Sequence, residues 1–217
     1  MKKIIYAALL PLLMACNKIP ETNLVGGKPE IFPDYTDIVI PVNIAPLNFK
    51  SIQPTELLTV EVKSKTETIN LKCKNGKLIW SERKWRKLLS NNIGDTLFYT
   101  ATIVDTLGEI VRCAPFYQVV SPDSIDSHIA YRLINTGYVL WDEMGIYQRC
   151  LENFKQKPII ENKSVDFACM NCHSFSNHNP NTMLLHTRKF NGGTTILYDG
   201  KIQKYNTKCS LSMSAGV

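Results

Sequence analysis

The 217 residues carry 25 basic and 19 acidic side chains, a formal charge of +6, and an apolar fraction of 44%. Length and composition are those of a globular chain of one or two small domains. The basic residues are scattered apart from Arg83, Lys84, Arg86 and Lys87, which read as a solvated helix face. A nucleic-acid partner needs a basic stripe with interleaved aromatics, so that class is excluded.

Lys2 and Lys3 form a short basic start, and Ile4 to Met14 an apolar run. The run is too short to span a bilayer, which takes about 20 residues, and has the layout of a signal peptide. It ends in Leu13-Met14-Ala15-Cys16, which resembles the lipobox of bacterial lipoproteins. Residues 1–15 are therefore expected to be removed and Cys16 to carry lipid. Each buried acyl methylene contributes about 0.8 kcal/mol, so a multiply acylated Cys16 anchors the chain stably. The folded part is expected outside the cytoplasm, facing the periplasm or on the outer membrane or cell surface. Loss of Lys2 and Lys3 leaves 23 basic and 19 acidic residues, a mild excess of +4. Residues 16–33, broken by Pro20, Gly26, Gly27, Pro29 and Pro33, read as a tether.

Residues 34–120 read as an antiparallel β-sandwich. Tyr35 to Val42 is rich in β-branched residues, with Pro41 suggesting an edge. Leu58, Val60 and Val62 alternate with Thr59, Glu61 and Lys63. Asn75-Gly76 predicts a hairpin turn between Glu67–Lys72 and Lys77–Trp80, since both residues tolerate positive φ. Ser81 to Leu89 predicts a short helix with Trp85, Leu88 and Leu89 on one face. Two further strands, Asp95–Val104 and Glu109–Val120, complete the set. Cys73 and Cys113 lie in this region, and Cys150 and Cys209 beyond it. A Cys73–Cys113 disulfide between neighbouring strands and free buried thiols are both open, because four cysteines allow three pairings.

Ser121-Pro122-Asp123 marks a boundary, and residues 121–191 are expected to be a helical segment. His128, Ile129, Arg132 and Leu133 recur at helical spacing up to Gly137, as do Trp141, Met144, Tyr147 and Leu151. This apolar stripe serves as core or as the wall of a cofactor site.

Within that segment stands Cys169-Met170-Asn171-Cys172-His173, the C-x-x-C-H attachment signature of a c-type haem. Two thiols at this spacing add to the porphyrin vinyl groups, and the following imidazole binds the iron. Cys169 and Cys172 are thus the expected thioether links and His173 the proximal ligand of a covalent haem c. Met183 or His186 would fill the distal position if helical spacing turns both to the ring, with His178 behind them. A filled site favours electron transfer and an open one small-molecule chemistry. The same thiols have zinc-knuckle spacing with His178 and His186, and thioredoxin-like or disulfide spacing besides.

Asp37 to Phe49, Ile129-Ala130-Tyr131-Arg132-Leu133-Ile134, Met144 to Arg149, Cys169 to Phe175 and Lys189-Phe190-Asn191-Gly192-Gly193-Thr194 together carry a family resemblance. They resemble exported Bacteroidetes lipoproteins in which a cytochrome c-type motif precedes a TolB-like (PD40) β-propeller. The resemblance implies that residues 192–217, with Thr194–Tyr198 and Lys201–Tyr205 around Asp199-Gly200, are the start of a propeller that the chain does not complete. The expectation is a lipid-anchored haem protein passing single electrons to an unidentified redox partner, with a haem enzyme with an open distal site as the weaker option. The alternative is a non-catalytic partner-binding or assembly lipoprotein with disulfide-bonded cysteines and no haem.

Overall fold

The structure, a computed structural model, describes residues 25–134, 143–188 and 192–205. The signal peptide, Cys16, Gly137, Trp141, Phe190 and Cys209 lie outside the described residues. The first strands are β1 (Val25–Gly26), β2 (Ile31–Phe32), β3 (Ile38–Pro41), β4 (Phe49–Ser51), β5 (Thr55–Lys63), β6 (Thr68–Lys74) and β7 (Lys77–Leu78). Helix α1 (Glu82–Asn91) is followed by β8 (Thr96–Asp105), β9 (Ile110–Cys113) and β10 (Phe116–Ser121). The remainder holds β11 (His128–Ile134), β12 (Met144–Cys150), β13 (Gln156–Glu161), β14 (Cys169–Phe175), β15 (Thr182–Arg188), β16 (Gly193–Tyr198) and β17 (Lys201–Tyr205). The described chain is mainly β, and none of its helices is long and apolar enough to cross a membrane.

Strict alternation builds the first layer. β5 buries Leu58, Val60 and Val62, and β8 buries Leu97, Tyr99, Ala101 and Ile103 on the same side of the sheet. β8 pairs along one edge with β5, which pairs with β6, and along its other edge with β9 and then β10. β1 and β3 extend this seven-stranded sheet, each parallel to its neighbour. Pro41 closes the edge strand β3, where a missing N–H costs no ladder bond.

The three-stranded sheet of β2, β4 and β7, together with α1, supplies the other side of the core. Trp85, Leu88 and Leu89 form the buried face of the helix, and Arg83, Lys84, Arg86 and Lys87 stay exposed. Ser81 occupies the N-cap position without a side-chain cap bond, so burial rather than capping sets the position of α1. The Trp85 ring packs 5.2 Å from that of Trp80, and its Nε1–H donates to the Ile44 carbonyl at 2.9 Å.

Three expectations for this half need correction. Strands begin within the span read as a tether, because Ile31 is buried under β4 and Val25–Gly26 finds an open edge beside β9. Asn75 and Gly76 do turn at positive φ, 53° and 62°, but the strands they join enter different sheets. Cys73 lies on β6 and Cys113 on β9, with β5 and β8 between them. Three strand spacings of about 4.8 Å exceed any disulfide span. Both are free thiols, and burial raises their pKa.

The largest correction concerns residues 121–191, whose described part forms strands with two short 3-10 turns and no α-helical segment. β11, β12 and β13 make an antiparallel meander, and β14 to β17 a second, four-stranded one. The apolar positions that recur at helical spacing also fit strands over so short a window, and Gly145 lowers helix propensity further. Gly145 permits a close crossing: a Cβ there would lie 2.9 Å from both the Ile160 carbonyl oxygen and the Tyr147 ring. The meanders pack together through Met144, Ile146, Met170, Met183 and Leu185. Asn43 ties them to the sandwich, donating to the Ile125 carbonyl at 2.8 Å and accepting from the Ile125 amide at 2.9 Å. The Ala45 amide adds a bond to the Leu151 carbonyl at 2.7 Å.

Candidate functional site

The C-x-x-C-H pentapeptide opens strand β14 and pairs with β15. Cys169 faces Arg188, Met170 faces Thr187, Cys172 faces His186, His173 faces Leu185 and Phe175 faces Met183. The register shifts by one residue between Met170 and Cys172, a bulge that takes up Asn171. In a regular strand, residues three apart point to opposite faces. The bulge reverses this and brings Cys169 and Cys172 to the same side, two rungs or roughly 7 Å apart. Both are partly exposed free thiols, and Cys169 also reaches the apolar cluster between the meanders.

His173 follows Cys172 directly, so its side chain lies on the other side of the strand. It stands edge-on to Phe175, 6.5 Å between ring centroids, and its buried Nδ1 has no partner among the described residues. Attachment of a c-type haem requires the thiols and the imidazole on one side of the chain. The residues as folded do not meet that requirement. Turning His173 to the thiol side would require the β14–β15 ladder to open.

The expected distal pair is separated as well. Met183 and His186 lie on β15, a strand, and three positions on a strand lead to opposite faces. Met183 shares the side of His173, in a row with Phe175 and Leu197. His186 shares the thiol side, in a row with Cys172 and Thr194, and its Nδ1 is 3.0 Å from the Thr194 hydroxyl oxygen. The zinc alternative also lacks a centre: among the described residues no three His, Cys, Asp or Glu side chains converge to hold a metal ion. The thioredoxin alternative fails because the thiol pair opens a strand and not a helix. The five described cysteines are unpaired, contrary to the disulfide-bonded expectation for them.

A different feature emerges where the meanders splay apart. Met144 and Ile146 bury one end of the space between the sheets, and Gln148 and Ala130 continue the same side of the β11–β12 ladder into an open cleft. The opposite wall is the row Phe175, Met183, Leu197. The cleft has a volume of about 510 Å3, within the range of small-molecule sites. Its apolar lining includes Ile129 and Ile159, 48% and 39% exposed. Asp126, His128 and His178 supply the polar groups at its rim.

His128 reaches the cleft from the first residue of β11, with Nδ1 2.9 Å from the Ser127 hydroxyl oxygen. His178 comes from the turn between β14 and β15, where Asn177 and His178 both take left-handed φ, 47° and 57°. Non-glycine residues adopt that region seldom, and two in succession turn the chain from β14 into β15 here. Sequence reasoning placed His178 last among the candidate ligands and did not single out His128 as a ligand. No local pattern links His128 with His178, which lie 50 residues apart in the chain and meet only once the strands are paired.

No family model, curated protein or solved structure matches the chain.

Proposed function

We propose that the chain is an exported lipoprotein, anchored through Cys16, whose folded part is a non-catalytic binding module. The observation that carries this reading is the 510 Å3 cleft between the two C-terminal meanders, with apolar walls and a few polar groups at its rim. The sandwich acts as the platform between anchor and cleft, held to the meanders through Asn43 and Ala45.

A fluorescent apolar anion, anilinonaphthalene sulfonate, tests the cleft directly. Saturable binding of one equivalent is expected, weakened at least tenfold in Ile129→Glu, with an unchanged urea midpoint because Ile129 is half exposed. Absence of saturable binding, or equal affinity in the variant, rejects the site.

The second reading is the covalent haem carrier, favoured by the C-x-x-C-H signature and by the two free thiols on one side of β14. It needs β14 to leave β15 before His173 can reach the thiol side. A bound haem supplies one-electron chemistry at its iron. Cys169 and Cys172 would be its links.

A further inference from the structure

We infer that the ligand of the cleft is a porphyrin-type macrocycle, a haem held without thioether links, with His128 and His178 as its iron donors. This rests on the reading that the cleft is the binding site. The chain has four histidines, and two of them line this one cleft. They come from opposite walls, His128 from the first meander and His178 from the second. Imidazoles on the two sides of a flat ligand are a donor set suited to haem iron.

The remaining lining fits the same ligand. A macrocycle presents broad apolar faces, and Phe175, Leu197, Ile129 and Ile159 offer apolar surface to receive them. Met183 adds a soft thioether at the buried end of the cleft.

The orientation of His128 is set in the manner of a metal ligand. Ligating imidazoles commonly engage an oxygen through the other ring nitrogen, which fixes the tautomer and the ring plane. The Ser127 hydroxyl occupies that role at Nδ1 and leaves Nε2 for a ligand. His178 stands on the left-handed turn between β14 and β15. Cys169, Cys172 and His173 line no part of the cleft.

Haemin titrated into the full chain, followed by its Soret band and by displacement of anilinonaphthalene sulfonate, tests the assignment. One equivalent is expected to bind, to displace the probe, and to be released by acid into organic solvent. His128→Ala and His178→Ala should each weaken binding at least tenfold and change the Soret band. Both positions are exposed, so the fold survives the change. The Cys169→Ala/Cys172→Ala and His173→Gln variants should bind as the native chain does. Haemin binding lost in those variants, or equal in the His128 and His178 variants, overturns the donor assignment. Probe binding without displacement by haemin overturns the ligand class and leaves the cleft standing. Failure of both probe and haemin overturns the cleft itself.

Discussion

Trp85→Ala is expected to destabilise the sandwich by about 3–5 kcal/mol, the range for deleting a fully buried large aromatic. Trp85 is 0% exposed, packs against Trp80 and lies under Leu88 and Leu89 in one cluster with β5 and β8. Its removal leaves a cavity and strands the Ile44 carbonyl, which loses the indole donor at 2.9 Å. Ile44 adjoins Asn43 and Ala45, whose hydrogen bonds hold the meanders, so the loss extends toward the cleft. A domain of this size has about 5–15 kcal/mol in total, so the variant should unfold at far lower urea. Arg86→Ala, on the exposed face of the same helix, should stay within about 0.5 kcal/mol of the native chain. Urea denaturation followed by far-ultraviolet circular dichroism reads both. A loss below about 1 kcal/mol in the Trp85 variant would show that α1 is peripheral to the core.

Gly145→Val acts on the other half. A Cβ at this position stands 2.9 Å from the Ile160 carbonyl oxygen and 3.4 Å from the Glu161 Cα, both backbone atoms of β13. The Tyr147 ring, also 2.9 Å away, is held by the hydroxyl that donates to Glu161 at 2.6 Å. No flexible side-chain end is there to yield, so β13 must move off β12. Overpacking of this kind typically costs about 1–3 kcal/mol, and backbone contact sets this case at the upper end. The expected result is proteolysis within residues 143–161 and loss of probe binding, with the sandwich transition unchanged. Native proteolytic resistance together with intact probe binding would show that the β12–β13 crossing is looser than described.

Legibility of the sequence followed the range of the interactions. The alternation of Leu58, Val60 and Val62 and the helix face of Trp85, Leu88 and Leu89 were readable because each pattern is local. The turn at Asn75-Gly76 was readable too, but not the division of its strands between two sheets, which depends on distant partners at Leu57 and Phe49. His128 to Leu133 and Met144 to Leu151 misled because a few residues at spacings of three and four fit either period in a short window. The signature at Cys169 was plain as a motif. Its geometry was not, since the bulge at Asn171 arises from pairing with β15 and decides which residues share a side. The cleft could not be read at all: its walls come from strands about 50 residues apart, joined only by tertiary packing.

In the pairing of β14 with β15 the thiols and His173 lie on opposite sides, so covalent haem at the signature requires β14 to part from β15. Intact mass spectrometry on chain produced with c-type maturation, together with a thiol count by iodoacetamide on the native protein, addresses it most directly. The mass of the unmodified polypeptide is expected, lipid aside, with Cys169 and Cys172 alkylated and the buried Cys73 and Cys113 slow to react. A covalent gain of one haem, absent from Cys169→Ala/Cys172→Ala, would contradict it and establish the electron carrier in its place.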